Sequence, residues 1–157
     1  MGAHPYWYIV PYESDVSAAL GKLREREFNA GRYNPVIEFP EFPVTDESPA
    51  PGRQHESIEA VFDALNEIGS ADGSRSILDI FNVADSPLGD DDIPICTARP
   101  LFPSDVQEYF GTQKPTWNQV KDSTAFANTI ERGSAVYLNV YKDDEIEGIL
   151  FVGYSFD

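Results

Sequence analysis

Cysteine is almost missing from this chain. Cys96 stands alone, so no internal disulfide can form. The opening Met1-Gly2-Ala3-His4-Pro5 carries no Lys or Arg and leads into only five apolar or aromatic residues, which does not make a secretory signal. Together these features predict a reducing cytoplasmic compartment. Cations are scarce as well: 11 Lys and Arg, only four of them Lys, stand against 27 Asp and Glu, for a formal net charge of −16. That imbalance repels phosphate backbones and anionic lipid surfaces, so neither nucleic acid nor membrane is expected as a partner. No stretch of about 18 apolar residues is present, which removes a membrane-spanning helix from consideration. No Gly-rich phosphate loop and no Gly-x-Ser-x-Gly turn occur, and Gly153-Tyr154-Ser155-Phe156-Asp157 lacks the second glycine of that turn.

What remains is enough to fold. A length of 157 residues suits one globular domain over 1–157. Val, Ile, Leu and Phe account for 40 residues, about 25%, above the roughly 20% below which a highly charged chain stays disordered.

Local patterns predict the elements. Tyr6-Trp7-Tyr8-Ile9-Val10 is aromatic and β-branched and stops at Pro11, as a strand does. Ser14 or Asp15 can cap a helix whose apolar positions Val16, Ala19, Leu20 and Leu23 recur at three and four, with Gly31 as its stop. Five prolines between Asn34 and Gly52 forbid a helix or a central strand there, and Phe39 and Phe42 would pin that connection to the body. The clearest pattern is a helix over Glu56 to Ile68, with Ile58, Val61, Phe62, Leu65 and Ile68 as its apolar stripe and Gly69 as its end.

Ser76 to Val83 reads as a strand, with a short helix as the competing assignment, and Asp85 to Pro94 as a polar loop. Pro103 to Phe110 reads as a helix stopped by Gly111, and Thr116 and Gln119 have capping-box spacing for a further helix to about Glu131. The C-terminus predicts a hairpin: Ala135 to Tyr141, the loop Lys142-Asp143-Asp144-Glu145, then Ile149 to Tyr154. Both alternating sets of that last strand are apolar, so it belongs inside the sheet with cover on both faces. The fold class follows: α+β, a single two-layer domain whose mainly antiparallel sheet ends in a C-terminal hairpin and carries three to four helices.

Placed at 100° per residue, Glu56, Glu59, Asp63 and Glu67 fall within roughly 80° of one another, opposite the apolar stripe. Like charges four residues apart destabilise an isolated helix, so local stability does not explain the choice. With Asp90, Asp91 and Asp92 in the polar loop, these residues form the expected contact set for a basic protein partner. The leading functional expectation is an acidic cytoplasmic protein-binding domain. Its most concrete form is an immunity-type inhibitor whose carboxylates stand in for the phosphates that a basic nuclease or toxin would bind.

The alternative is a small hydrolase or metal-dependent enzyme using His55 and nearby carboxylates, since His55 and Glu59 share a helical face with Glu56 beside them. A catalytic zinc needs three protein ligands and the only other histidine is His4, so no metal and no cofactor are expected and no catalytic residue is assigned. Asp90, Asp91 and Asp92 are adjacent and lack the ligand spacing of an EF-hand. A third reading takes the acidity as adaptation to a salty cytoplasm, in which case the fold would loosen as salt is removed. Cys96, in an apolar stretch with no nearby histidine, reads as a core or near-core thiol. Arg24, Arg26 and Arg32, interleaved with Glu25 and Glu27, read as internal ion pairs.

Overall fold

A computed structural model describes residues 3–37, 43–85, 94–121 and 126–156. Phe39, Phe42 and the three adjacent aspartates Asp90, Asp91 and Asp92 lie outside the described residues. The elements run β1 (Pro5–Pro11), α1 (Val16–Ala30), α2 (Ile58–Glu67), a 3-10 turn (Ile77–Asp79), β2 (Asn82–Val83), β3 (Thr97–Pro100), α3 (Pro103–Phe110), α4 (Trp117–Lys121), a second 3-10 turn (Ala127–Thr129), β4 (Ala135–Lys142) and β5 (Glu145–Tyr154). The class is α+β, with one five-stranded sheet in the order β1-β5-β4-β3-β2. It is mixed: β1/β5 and β4/β5 pair antiparallel over long registers, whereas β2/β3 and β3/β4 are short parallel pairs. No helix among the described residues is long and apolar enough to cross a membrane.

Period-two alternation splits the strands between two cores. Tyr6, Tyr8, Val10, Ile149 and Phe151 face Ala19, Leu20 and Leu23 of α1, while Trp7, Ile9, Leu150 and Val152 face Val106 and Phe110 of α3 and Val120 of α4. Helical cover therefore lies on both faces, as the two apolar sets of β5 predict, and β5 sits inside the sheet. A third cluster joins Phe28 and Tyr33 to Val61, Leu65 and Leu78, which fixes α2 beside the end of α1. Each fully buried large side chain in these clusters contributes roughly 1.5–3 kcal/mol by leaving water.

Capping matches the sequence where the signal is local. The Asp15 side chain accepts from Ala18 N, and Gly31 closes α1 with φ 75°. Thr116 and Gln119 form their reciprocal box, with Gln119 Oε1 2.9 Å from Thr116 N. The hairpin turn is tighter than expected. It holds only Asp143 and Asp144, both left-handed at φ 52° and 64°, so pairing begins at Glu145 and not at Ile149.

Four other expectations need correction. First, α2 starts at Ile58 because the Ser57 side chain accepts from Ala60 N; Glu56 precedes the cap, and Ile68, 65% exposed, is no part of the buried stripe. Second, Ser76 to Val83 is not one strand. The Ser76 hydroxyl accepts from Leu78 N at 3.2 Å and closes a 3-10 turn that buries Ile77, Leu78 and Ile80 in several directions, leaving two residues to pair. Third, no α-helix reaches Glu131: α4 is described over Trp117–Lys121, and Ala127–Thr129 form a 3-10 turn in which the Thr129 hydroxyl bonds back to Phe126 O at 2.6 Å. Fourth, β3 has no counterpart in the predicted elements: four residues that include Arg99 and Pro100 carry no strand signature.

At Gly31 the returning segment packs against α1, and a Cβ there would overlap the Gly52 carbonyl, which itself follows the bond Gly52 N to Ala30 O at 2.9 Å. Gly31→Ala combines a left-handed backbone with that overlap and is expected to lower stability by about 2 kcal/mol. Chemical denaturation of the variant against the parent measures this; an unchanged midpoint would contradict the packing of 49–53 on the helix end.

Candidate functional site

The acidic row can be built from α2 outward. Val61 and Leu65 anchor the helix inward, so Glu59, Asp63 and Glu67 project to solvent, and Glu56 is exposed just before the cap. Among the described residues none of these four makes an ion pair. Most cations around the helix are taken up by other carboxylates: Arg32 Nη1 lies 2.9 Å from Glu27 Oε1, Arg26 bonds Glu27 and Asp46, Lys22 pairs with Glu13 and Arg75 with Asp72, while Arg53, the nearest in sequence, lies 5.7 Å over the Phe28 ring. Ion pairing within the Arg/Glu cluster is thus as expected for Arg26 and Arg32.

Arg24 behaves differently. It donates to Leu78 O at 3.0 Å and lies 4.7 Å over the Phe81 ring, and burial lowers its pKa while Asp79 and then Glu59 support its charge. Phe81 is half exposed and its ring is 5.4 Å from that of Phe62. Between α1, α2 and Phe81 opens a cleft of about 420 Å³, with Glu25, Glu56 and Glu59 set against Arg24 and Arg53. The N-terminal half of the acidic row therefore shares its surroundings with two arginines, whereas Asp63 and Glu67 do not line it. An aromatic platform beside unpaired carboxylates has the composition of an interface, in which aromatics supply affinity and charges supply rate and register. Sequence reasoning missed Phe81, because its apolar run reads as interior.

His55 is tied down. Its Nδ1 is 2.9 Å from the Tyr33 hydroxyl, which also accepts from Gln54 N at 3.3 Å, so the pair clamps the 53–55 segment onto buried Tyr33. Ser57 is occupied as the α2 cap. The other histidine has a serine partner that the sequence does not announce: His4 N donates to Ser155 Oγ at 2.9 Å, with the hydroxyl 3.5 Å from His4 Nδ1. Ser155 is fully buried at the β1/β5 end, out of reach of a substrate. Among the described residues no three His, Cys, Asp or Glu side chains gather where they could hold a metal ion. Cys96 is half-buried, and burial, then the nearby Asp79, push its thiol above the ordinary value, which makes it a poor nucleophile. An apolar groove of about 220 Å³ lies between Trp7, Trp117 and Tyr154, and among the described residues its lining includes Lys121 and Asn128 beside the apolar side chains.

Fold and surface define an α+β domain with an acidic helix face beside an aromatic cleft. Compared with known proteins, the chain matches no family model, no curated protein and no solved structure.

Proposed function

We propose that this chain is a non-enzymatic, cytoplasmic binding domain that docks its α2 face and the adjoining cleft on a basic protein, most concretely as an inhibitor of a cationic nuclease or toxin. The observation that carries this reading is the contrast between the two sets of carboxylates. Glu27 and Asp46 are consumed by Arg26 and Arg32, while Glu56, Glu59, Asp63 and Glu67 stay exposed and unpaired among the described residues, next to half-exposed Phe81. Like charges at Glu59/Asp63 and Asp63/Glu67 each oppose the helix by about 0.2–0.5 kcal/mol, a cost that a cationic partner removes. Long-range attraction to a net charge of −16 speeds the encounter.

Glu59→Lys combined with Asp63→Lys is expected to weaken capture of the basic partner by about tenfold or more, chiefly through the association rate, with the parent's binding falling as salt rises. Surface plasmon resonance at two salt concentrations measures both. Binding indifferent to the double variant would remove α2 from the interface.

A further inference from the structure

The two edges of the sheet are finished in opposite ways. Along β1 most of the outward backbone groups are taken: Trp7 N donates to Val44 O at 2.9 Å, Val44 N to Pro5 O at 3.2 Å, Ile9 N to the Asp46 carboxylate at 3.0 Å, and Arg26 to Ile9 O at 3.2 Å. At the other edge β2 spends Asn82 and Ala84 on its inner neighbour, with Asn82 N bonded to Cys96 O at 3.2 Å and Ala84 N to Ala98 O at 2.8 Å. Parallel ladders alternate, so the N–H and C=O of Val83 point away from β3, and among the described residues nothing pairs with them.

Beside that edge runs a trough of about 250 Å³ between β2 and the flank of α1 formed by Ser17, Gly21 and Arg24. Among the described residues, and apart from the helix's own backbone, no atom lies within 4 Å of where a Cβ on Gly21 would stand, so the flank is open to an incoming backbone. Phe81 and Arg24 line both this trough and the α1/α2 cleft, so the two adjoin at that stacked pair.

We propose that the open β2 edge receives one extended, cationic segment of the basic partner, added as a sixth strand. The proposal rests on the docking reading above and specifies its geometry. Strand addition takes affinity from main-chain bonds and specificity from alternate side chains. Here Val83 supplies the bonds, Phe81 a ledge, and Glu25, Glu56 and Glu59 at the cleft end the countercharges for Lys or Arg. A second copy of this chain could present the same edge, but each copy carries −16, and that repulsion favours a cationic strand instead.

The test titrates the 15N-labelled full chain with an acetylated, amidated peptide of alternating Lys and Val, and with two versions N-methylated at every Val or at every Lys. N-methylation keeps the charge and removes one edge of main-chain donors. The expected result is a shift and slowed deuterium exchange at the Val83 amide, with an affinity loss of about tenfold for one of the two methylated peptides. Val83→Pro, which deletes the outward N–H and leaves the β3 ladder intact, should lose binding by a similar factor. Shifts confined to α2 amides, with all three peptides binding alike, would overturn strand addition and leave the acidic face standing. No shift at any amide would overturn both.

Discussion

Glu27→Ala is expected to lower the unfolding free energy by about 3–5 kcal/mol, the range for removing one partner of a buried ion pair. Glu27 is fully buried, and it organises more than its own helix. Its carboxylate takes Arg26 Nε at 3.0 Å and Arg32 Nη1 at 2.9 and 3.1 Å. The same arginines reach across to the Pro-rich connection: Arg32 donates to Ser48 O and Asp46 O, both at 2.8 Å, and Arg26 bonds the Asp46 side chain. Burial raises the Glu27 pKa, and its bonds and charge interactions with Arg32 and then Arg26 pull it back only in part. The ionised carboxylate is thus no bargain in itself. What makes its removal costly is the guanidinium of Arg32, 12% exposed, left without a countercharge. Urea denaturation should show the loss in low salt and, because the network is buried, still show most of it at 1 M salt. A loss that disappears with salt would mean the network is solvated.

Asp79→Asn is expected to do the reverse and stabilise the protein by about 2 kcal/mol above neutral pH. Asp79 is 1% exposed, and burial pushes its pKa up to about 6 against the restraining bonds from the amides and hydroxyl around Ser74. Oδ1 accepts from Ser74 N at 2.8 Å, a bond an asparagine oxygen can keep, while Oδ2 has no partner among the described residues. The charged and titratable groups that act on it come from three elements: Tyr6 on β1, Arg24 on α1, and Cys96 ahead of β3. Because the folded pKa lies above the unfolded 3.8, the carboxylate destabilises the fold fully above pH 6; the penalty fades as pH falls from about 6 to 4, where the folded state holds a proton the unfolded state has lost. The gain from the asparagine should therefore be present at pH 7.5 and gone by pH 4. Denaturation midpoints of both chains at the two pH values measure it, and an equal gain at both would show that the charge of Asp79 is not the cause.

Much of the fold was legible because its signals are short-range. Asp15 and Gly31 bracket α1, Gly111 stops α3, Thr116 with Gln119 starts α4, and the alternating runs around Asp143-Asp144 make the hairpin. Where the reading failed, two local signals competed. Glu56 continues the acidic spacing but Ser57 is the better cap; Ile77, Leu78 and Ile80 have strand composition but Ser76 turns the chain. The acidic row on α2 was visible as spacing. Phe81 and the open β2 edge were not, since exposure is a property of neighbours supplied by α1 and α2 from distant parts of the chain.

From residue order alone come the caps, the turns, the apolar periods and the surplus of negative charge, all properties of groups within a few bonds of each other. Which carboxylates are buried against arginine and which are left facing water was decided only when strands and helices far apart in the chain closed around a common core. Desolvation and pairing depend on what arrives from elsewhere, and no window of sequence contains that.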